Sequence, residues 1–255
     1  MEPTATQYKN ITGVDNLFTQ NCQDAANQLL CIETQALSQS HTYDTSGTEK
    51  ELAILFLDLR DYTGLLQLHP AKEVIQMVKR LFGVFSQAVS SFKGKVIERA
   101  GDSLYAVFGL NSSLQEAAND AYRASKMLFD TLAYFNDNYA RARYGRPLEM
   151  GIGMHAGEVI IEHYNDDTLS VMGLPVNIAA RLQAETKMLN NDLLISETAY
   201  QLLHTDHQSV QTEVRNVNLH GVNQKQQTRL AGKAYESNKQ LHDTDDLHYL
   251  LAIAG

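Results

Sequence analysis

The stretch Leu52-Ala53-Ile54-Leu55-Phe56-Leu57-Asp58-Leu59-Arg60-Asp61-Tyr62-Thr63 decides the fold of this chain. Six apolar residues run into a carboxylate and then a polar turn. A run of that length, closed by a turn, suits a buried strand better than a helix. A carboxylate at the end of such a strand is expensive to desolvate unless it is paired or bound to a cation. Asp58 therefore calls for a partner, and the chain offers Asp102. That residue lies in Val96-Ile97-Glu98-Arg99-Ala100-Gly101-Asp102-Ser103-Leu104-Tyr105-Ala106-Val107-Phe108. There Gly-Asp separates two strand-like runs, which marks a tight hairpin. With the hairpin beside the first strand, the two carboxylates meet at one edge of a sheet.

A plainer reading has Asp58 capping the next helix and Asp102 only making its turn. A third segment argues against it. Ser170-Val171-Met172-Gly173-Leu174-Pro175-Val176-Asn177-Ile178-Ala179-Ala180-Arg181-Leu182 reads as a strand end, a Gly/Pro turn and a helix. Asn177 and Arg181, one helical turn apart, project from one face. Together the three segments supply metal ligands, a polar positioning group and a fixed cation.

The segments Phe56 to Thr63, Gly101 to Gly109, Gly151-Ile152-Gly153-Met154-His155-Ala156-Gly157-Glu158-Val159 and Val176 to Leu182 resemble the class III nucleotidyl cyclases, in that family's order and near its spacing. The resemblance covers roughly Glu51 to Ala234. Strands and helices follow as β-α-β-β-α-β, a split βαβ pattern with an antiparallel sheet. The resemblance makes this an α+β, ferredoxin-like core, preceded by a helical extension. Expected boundaries are 1–49 for that helix and its polar linker, 50–235 for the cyclase domain, and 236–255 for a tail.

Composition limits the partners. The formal charge of −9 argues against nucleic acid or an anionic membrane. No apolar run reaches the 18 residues of a transmembrane span, and the start lacks the basic and apolar regions of a signal peptide. Cys22 and Cys31 would lie about 13 Å apart on one helix, too far for a disulfide. A reducing, cytoplasmic setting is expected.

Outside the motifs, Phe18, Cys22, Ala25, Leu29, Ile32 and Ala36 recur at heptad spacing. Two readings fit: a helix packed on its own domain, or a short dimerising helix. Val74, Met77, Val78, Leu81 and Phe85 mark one amphipathic helix, and Leu114, Ala117, Ala121, Leu128, Leu132 and Phe135 another. Residues 141–147 read as a solvated basic loop. Leu193 to Ile195 is a strand, followed by a helix from Glu197 to Leu203. Val214 to Leu219 and Gln227 to Leu230 make an edge hairpin around Gly221. The segment from Leu241 reads as a terminal helix. The glycines of 151–157 are not a dinucleotide fingerprint, because β-branched residues rather than a helix follow them.

The resemblance assigns roles. Asp58 and Asp102, with the Leu59 carbonyl, would hold two divalent cations, Mg²⁺ or Mn²⁺, as oxygen ligands suit. Asn177 would orient the ribose and Arg181 would stabilise the α-phosphate. The plainer reading of Arg181 is an ion pair with Glu185. Thr63 and, more weakly, Arg60 would serve the β- and γ-phosphates. The late lysine of the family is missing; His220 stands nearest, with Lys225 and Arg229 close by. In the family the Asn/Arg pair comes from the other subunit, which implies a homodimer with composite sites.

The base pocket departs from the adenine pattern. Glu98 stands where adenylate cyclases commonly carry Lys, and Ser170 where they carry Asp or Thr. A carboxylate accepts hydrogen bonds and cannot donate one to adenine N1. Glu98 would suit guanine, cytosine or uracil; Arg99 and Tyr62 are further candidates for the base. The plainer reading of Glu98 is a solvated strand residue. A cyclase of this size without an attached sensor is similar to the pyrimidine cyclases of bacterial Pycsar antiphage systems, which implies cyclic UMP or cyclic CMP read by a separate effector. The alternatives are a guanylate or adenylate cyclase, or a non-catalytic nucleotide-binding module.

Overall fold

The structure is a computed structural model describing residues 47–165, 168–208 and 212–237. The chain divides into two compact units, Met1–Ser46 and Gly47–Gly255, and every described residue belongs to the second. The heptad segment, both cysteines and the segment from Leu241 lie outside the described residues.

Strand β1 (Thr48–Leu59) contains the expected six-residue apolar run and extends it back to Thr48, into the stretch read as polar linker, and it lies inside the sheet, not at its edge. Ala53, Leu55, Leu57 and Leu59 are buried on one face with Val74, Met77, Val78, Leu81 and Phe85 of helix α2 (Ala71–Ser91). Helix α3 (Leu114–Phe135) adds Ala117, Ala121, Leu128 and Leu132 to the same core. Leu52 and Ile54 are buried on the other face. A strand covered on both sides needs no polar alternation, which is why its sequence is continuously apolar. α3 begins with a reciprocal capping box between Ser113 and Glu116.

β2 (Lys95–Ala100) and β3 (Ser103–Phe108) form the expected hairpin, closed by Gly101 and Asp102, with Gly101 at φ 61°. β3 pairs antiparallel with β1, and β1 with β4 (Met150–Asn165). The far end of β4 carries β5 (Thr168–Met172). The short helix α1 (Tyr62–Leu68) follows β1 directly. The sheet order is β2-β3-β1-β4, then β6 (Leu193–Ser196), β8 (Gln226–Leu230) and β7 (Glu213–Val217).

Three expectations need correction. β6 (Leu193–Ser196) runs parallel to β4, because the helix between them carries the chain back along the sheet. Residues 141–147 are not a plain loop: α3 continues through a π-turn at Asn136–Ala140 into α4 (Arg141–Tyr144). Its arginines pair with acids: Arg141 with Glu236, Arg143 with Glu73 and Arg146 with Asp61. The helix after β6 ends early, at Tyr200, as α6 (Glu197–Tyr200), and α7 (Thr205–Gln208) is a separate turn. The edge hairpin around Gly221 forms as β7 (Glu213–Val217) and β8 (Gln226–Leu230). No described helix is long and apolar enough to cross a membrane.

α5 (Leu174–Met188) lies on the second face of the sheet, with Ala179 in the cluster that contains Leu52 and Ile54. It can lie close because β4 presents glycine there. A Cβ at Gly153 would overlap the Gln183 nitrogen and the Ala179 carbonyl of α5. On the same strand His155 is 6% exposed, with Nδ1 2.7 Å from Ser196 Oγ. Ser196 Oγ accepts from the Ala199 N–H, so its own O–H is left to donate to a neutral imidazole. Burial pushes the His155 pKa down to about 4. A lowered folded-state value means stability present above the unfolded value, near 6.5, and lost as pH falls towards 4. The loss expected across that window is about 3 kcal/mol. Urea midpoints measured from pH 7 to pH 4.5 should therefore fall more steeply for the wild type than for His155→Gln.

Candidate active site

Where β1 ends, its neighbours bring the acidic groups together. Asp58 stands opposite Ser103 of β3 and Gly151 of β4. The Leu59 N–H donates to the Asp102 carbonyl at 3.0 Å, and the Arg60 N–H to the Glu149 carbonyl at 2.8 Å. These bonds fix the turn that carries both carboxylates. Burial, and then the charge of Asp102, push the Asp58 pKa up to about 6, with Arg60 acting in the opposite sense. Asp102 is also raised, chiefly by burial. Two half-buried carboxylates, both raised by burial and one of them also by its neighbour's charge, favour a nearby positive charge. No group of three or more His, Cys, Asp or Glu side chains forms a metal cluster among the described residues. Two carboxylates and a carbonyl nevertheless fit magnesium or manganese, which keep waters and take further oxygens from substrate phosphates.

Asp58 does not cap the following helix. Asp61 occupies that position in the left-handed region, at φ 54°, and its carboxylate pairs with Arg146 at 2.7 Å. Thr63 is exposed on the first turn of α1. Tyr62 packs against the core beneath α2 and α3, and burial, then the charge of Asp102, raise its phenol.

Arg60 takes a different place from the one expected at a triphosphate. Its guanidinium donates to Thr186 Oγ1 and Tyr235 Oη. Arg229 is likewise engaged, by both Glu197 oxygens at 2.6 and 2.9 Å and by the Tyr200 ring. His220 and Lys225 are exposed.

Asn177 and Arg181 are exposed on α5. Among the described residues neither has a hydrogen-bond or ion-pair partner, and the alternative pair of Arg181 with Glu185 is not formed. A cation and an amide are thus presented to solvent from one helix face.

Glu98 stands opposite Tyr105 in the hairpin, after a bulge at Ile97. Tyr105 points to the α5 side, its ring stacked on Phe56 with centroids 4.5 Å apart and planes 4° apart. Its hydroxyl donates to the Val171 carbonyl of β5 at 3.3 Å. Burial, and then the Glu98 charge, raise its phenol far above the usual range. Arg99 stands opposite Leu104, which faces the α2/α3 core, so Arg99 and Glu98 leave the hairpin on opposite faces. Ser170 pairs with Glu162 of β4, and its neighbours in the strand, Leu169 and Val171, are the ones buried on the α5 side. Sequence reasoning missed the Phe56–Tyr105 pair, although counting back from Gly101-Asp102 sets Tyr105 opposite Glu98. It also missed Thr186 and Tyr235, for which the sequence carries no local signal.

Comparison with known proteins bears on the family and the fold. The profile of the adenylate and guanylate cyclase catalytic domain matches residues 45–232. An uncharacterized protein of Mycobacterium tuberculosis is 29% identical over 167 residues, covering 64% of this chain and 28% of that protein. The chain thus spans about a quarter to a third of the length of the curated relatives it matches. Among solved structures, the guanylyl cyclase Cya2 superposes with a TM-score of 0.64 at 24% identity, covering 75% of this chain and 96% of that one. The adenylyl cyclase CyaB from P. aeruginosa gives 0.63 at 19% identity, covering 74% and 97%. These two likenesses speak for the fold.

Proposed function

This chain belongs to the class III nucleotidyl cyclases, and from that premise we propose that it converts a pyrimidine nucleoside triphosphate to its 3′,5′-cyclic monophosphate and pyrophosphate, as a homodimer. The observation that carries the reading is the pair of raised carboxylates at the end of β1, together with an exposed Asn177/Arg181 face that has no partner among the described residues. Each site would take Asp58, Asp102 and the Leu59 carbonyl from one copy and Asn177 and Arg181 from the other.

Two divalent cations held by Asp58, Asp102 and Leu59 would favour ionisation of the 3′-hydroxyl and neutralise the leaving phosphates. The 3′-oxygen forms its bond to the α-phosphorus as the bond to pyrophosphate breaks, and the hydroxyl proton passes to water. Asn177 orients the ribose so that this attack is in line. Arg181 stabilises the charge that builds on the α-phosphate. Thr63 borders the β- and γ-phosphates.

For the base, Glu98 accepts hydrogen bonds on the face that the Phe56–Tyr105 stack already fills. That favours a small ring with an N–H or amine to donate, as uracil and cytosine have. Guanine offers the same donors and is the second reading. The non-adenine residue Glu98, which the pyrimidine reading rests on, extends the proposal to cytoplasmic antiphage signalling, with the product read by a separate effector. The test is competition: protein, Mn²⁺ and an equimolar mixture of ATP, GTP, CTP and UTP, with products identified by mass spectrometry. Cyclic UMP or cyclic CMP should dominate; cyclic GMP would discard the pyrimidine assignment, and cyclic AMP would also discard the role given to Glu98.

A further inference from the structure

Three polar groups that the chemistry above does not use meet behind the metal carboxylates. Arg60 lies two residues after Asp58. Its guanidinium donates to Tyr235 Oη at 3.1 and 3.2 Å from two of its nitrogens, and also to Thr186 Oγ1. It lies over the Tyr235 ring, 5.2 Å from the centroid. Thr186, on the last turn of α5, has 0% exposure, and its hydroxyl donates to the Gln183 carbonyl. Tyr235, beyond β8, is 5% exposed. The cluster fills the space of a missing side chain: a Cβ at Gly151, directly opposite Asp58, would overlap Thr186 Oγ1, the Arg60 guanidinium and Tyr235 Oη.

Several features set this apart from ordinary packing. Every hydrogen-bond acceptor recorded for the guanidinium is a neutral hydroxyl, and no described carboxylate forms an ion pair with it. Its position is thus fixed by neutral partners. The three groups come from distant points in the chain and converge on the one turn that carries Asp58 and Leu59. α5 is anchored along β4 by close backbone packing, and β8 is anchored in the sheet. The turn after β1 is held besides by the Leu59 and Arg60 N–H bonds to the Asp102 and Glu149 carbonyls, and it opens to solvent at Asp61 and Thr63, so the cluster is the side-chain restraint on it from behind.

We propose that Thr186 and Tyr235 are positioning residues that, through Arg60, hold the Asp58–Leu59 turn in the geometry that binds the divalent cations. The inference rests on the metal reading above. Arg60 is then a strut behind the site and makes no contact with phosphate.

The test is Mn²⁺ binding to the full chain, followed by the electron paramagnetic resonance of free Mn²⁺, alone and with a 3′-deoxynucleoside triphosphate that cannot cyclise. Tyr235→Phe keeps the ring and removes only the hydroxyl; Thr186→Val keeps the shape. Each should weaken Mn²⁺ binding about tenfold, the usual cost of losing a group that orients a metal ligand. The Mn²⁺ concentration for half-maximal rate should rise in parallel, with the nucleotide KM at saturating Mn²⁺ unchanged. Thr186→Ser, which restores the acceptor, should recover wild-type binding. Unchanged Mn²⁺ affinity in both Tyr235→Phe and Thr186→Val overturns the proposal, whatever their activity. So does a loss that Thr186→Ser fails to recover, which would mark a packing role. Asp58→Ala separates the two readings: if it binds Mn²⁺ as the wild type does, the metal assignment itself has failed and the positioning role falls with it.

Discussion

Asp58→Ala is expected to lower cyclic-nucleotide formation by about 10³ or more, because it removes a shared ligand of both proposed cations, and such ions contribute several kcal/mol to the transition state. Asp58→Asn should be nearly as inactive, since the amide keeps the shape and loses the charge. Their stabilities separate a chemical defect from a folding one. The Asp58 carboxyl is raised to about 6 by burial and by Asp102. A raised folded-state value means that ionised Asp58 works against the fold as pH rises from near 4 through 6. Without metal at pH 7, Asp58→Asn should therefore unfold no lower than the wild type. An inactive variant that is as stable as its parent marks a group retained for chemistry. Rates within threefold of wild type in both variants would remove Asp58 from the metal site.

Arg181→Ala carries the second large effect, a fall of about 10² to 10³ in kcat, as for the loss of one preorganised donor to a developing negative charge. Its side chain is exposed and has no partner in its own chain among the described residues, so stability should change by less than about 0.5 kcal/mol. Mixing gives a sharper result. Each Asp58→Ala subunit still offers Asn177 and Arg181, and each Arg181→Ala subunit still offers Asp58 and Asp102. Random pairing in a two-fold dimer makes half the dimers mixed, each with one complete site, so the mixture should regain about a quarter of wild-type activity. Two inactive proteins that stay inactive together would show instead that all four groups serve one site within one chain.

What was legible in the sequence followed from periodicity and turn chemistry. The continuous apolar run of β1, the two helices with apolar stripes, and the Gly101-Asp102 hairpin each carry a local signal, and the observed elements match. The approach of Asp58 to Asp102 followed from those elements alone. The direction of β6 did not: Leu-Leu-Ile-Ser reads alike whether paired parallel or antiparallel. Residues 141–147 read as a loop because Arg, Tyr and Gly dilute the apolar stripe, while helical turns there depend on Asn136, whose side chain bonds both the N–H and the carbonyl of Leu148. The neighbours of Arg60 were not legible for a different reason. They are Thr186 and Tyr235, and no local pattern connects positions that far apart.

The glycines of β4 have a mechanical consequence. At Gly153 helix α5 rests on bare backbone, with no side chain rising from the strand between them. A side chain at 153 would meet the Gln183 nitrogen and the Ala179 carbonyl, and one at 157 would meet Pro175, so the strand holds the helix along its length and not at one end only. Ile178, Ala179 and Leu182 of the helix are buried. Backbone against backbone leaves no rotamer to adjust, so the height of Asn177 and Arg181 above the sheet is set as one fixed step, and any Cβ at 153 would raise both together.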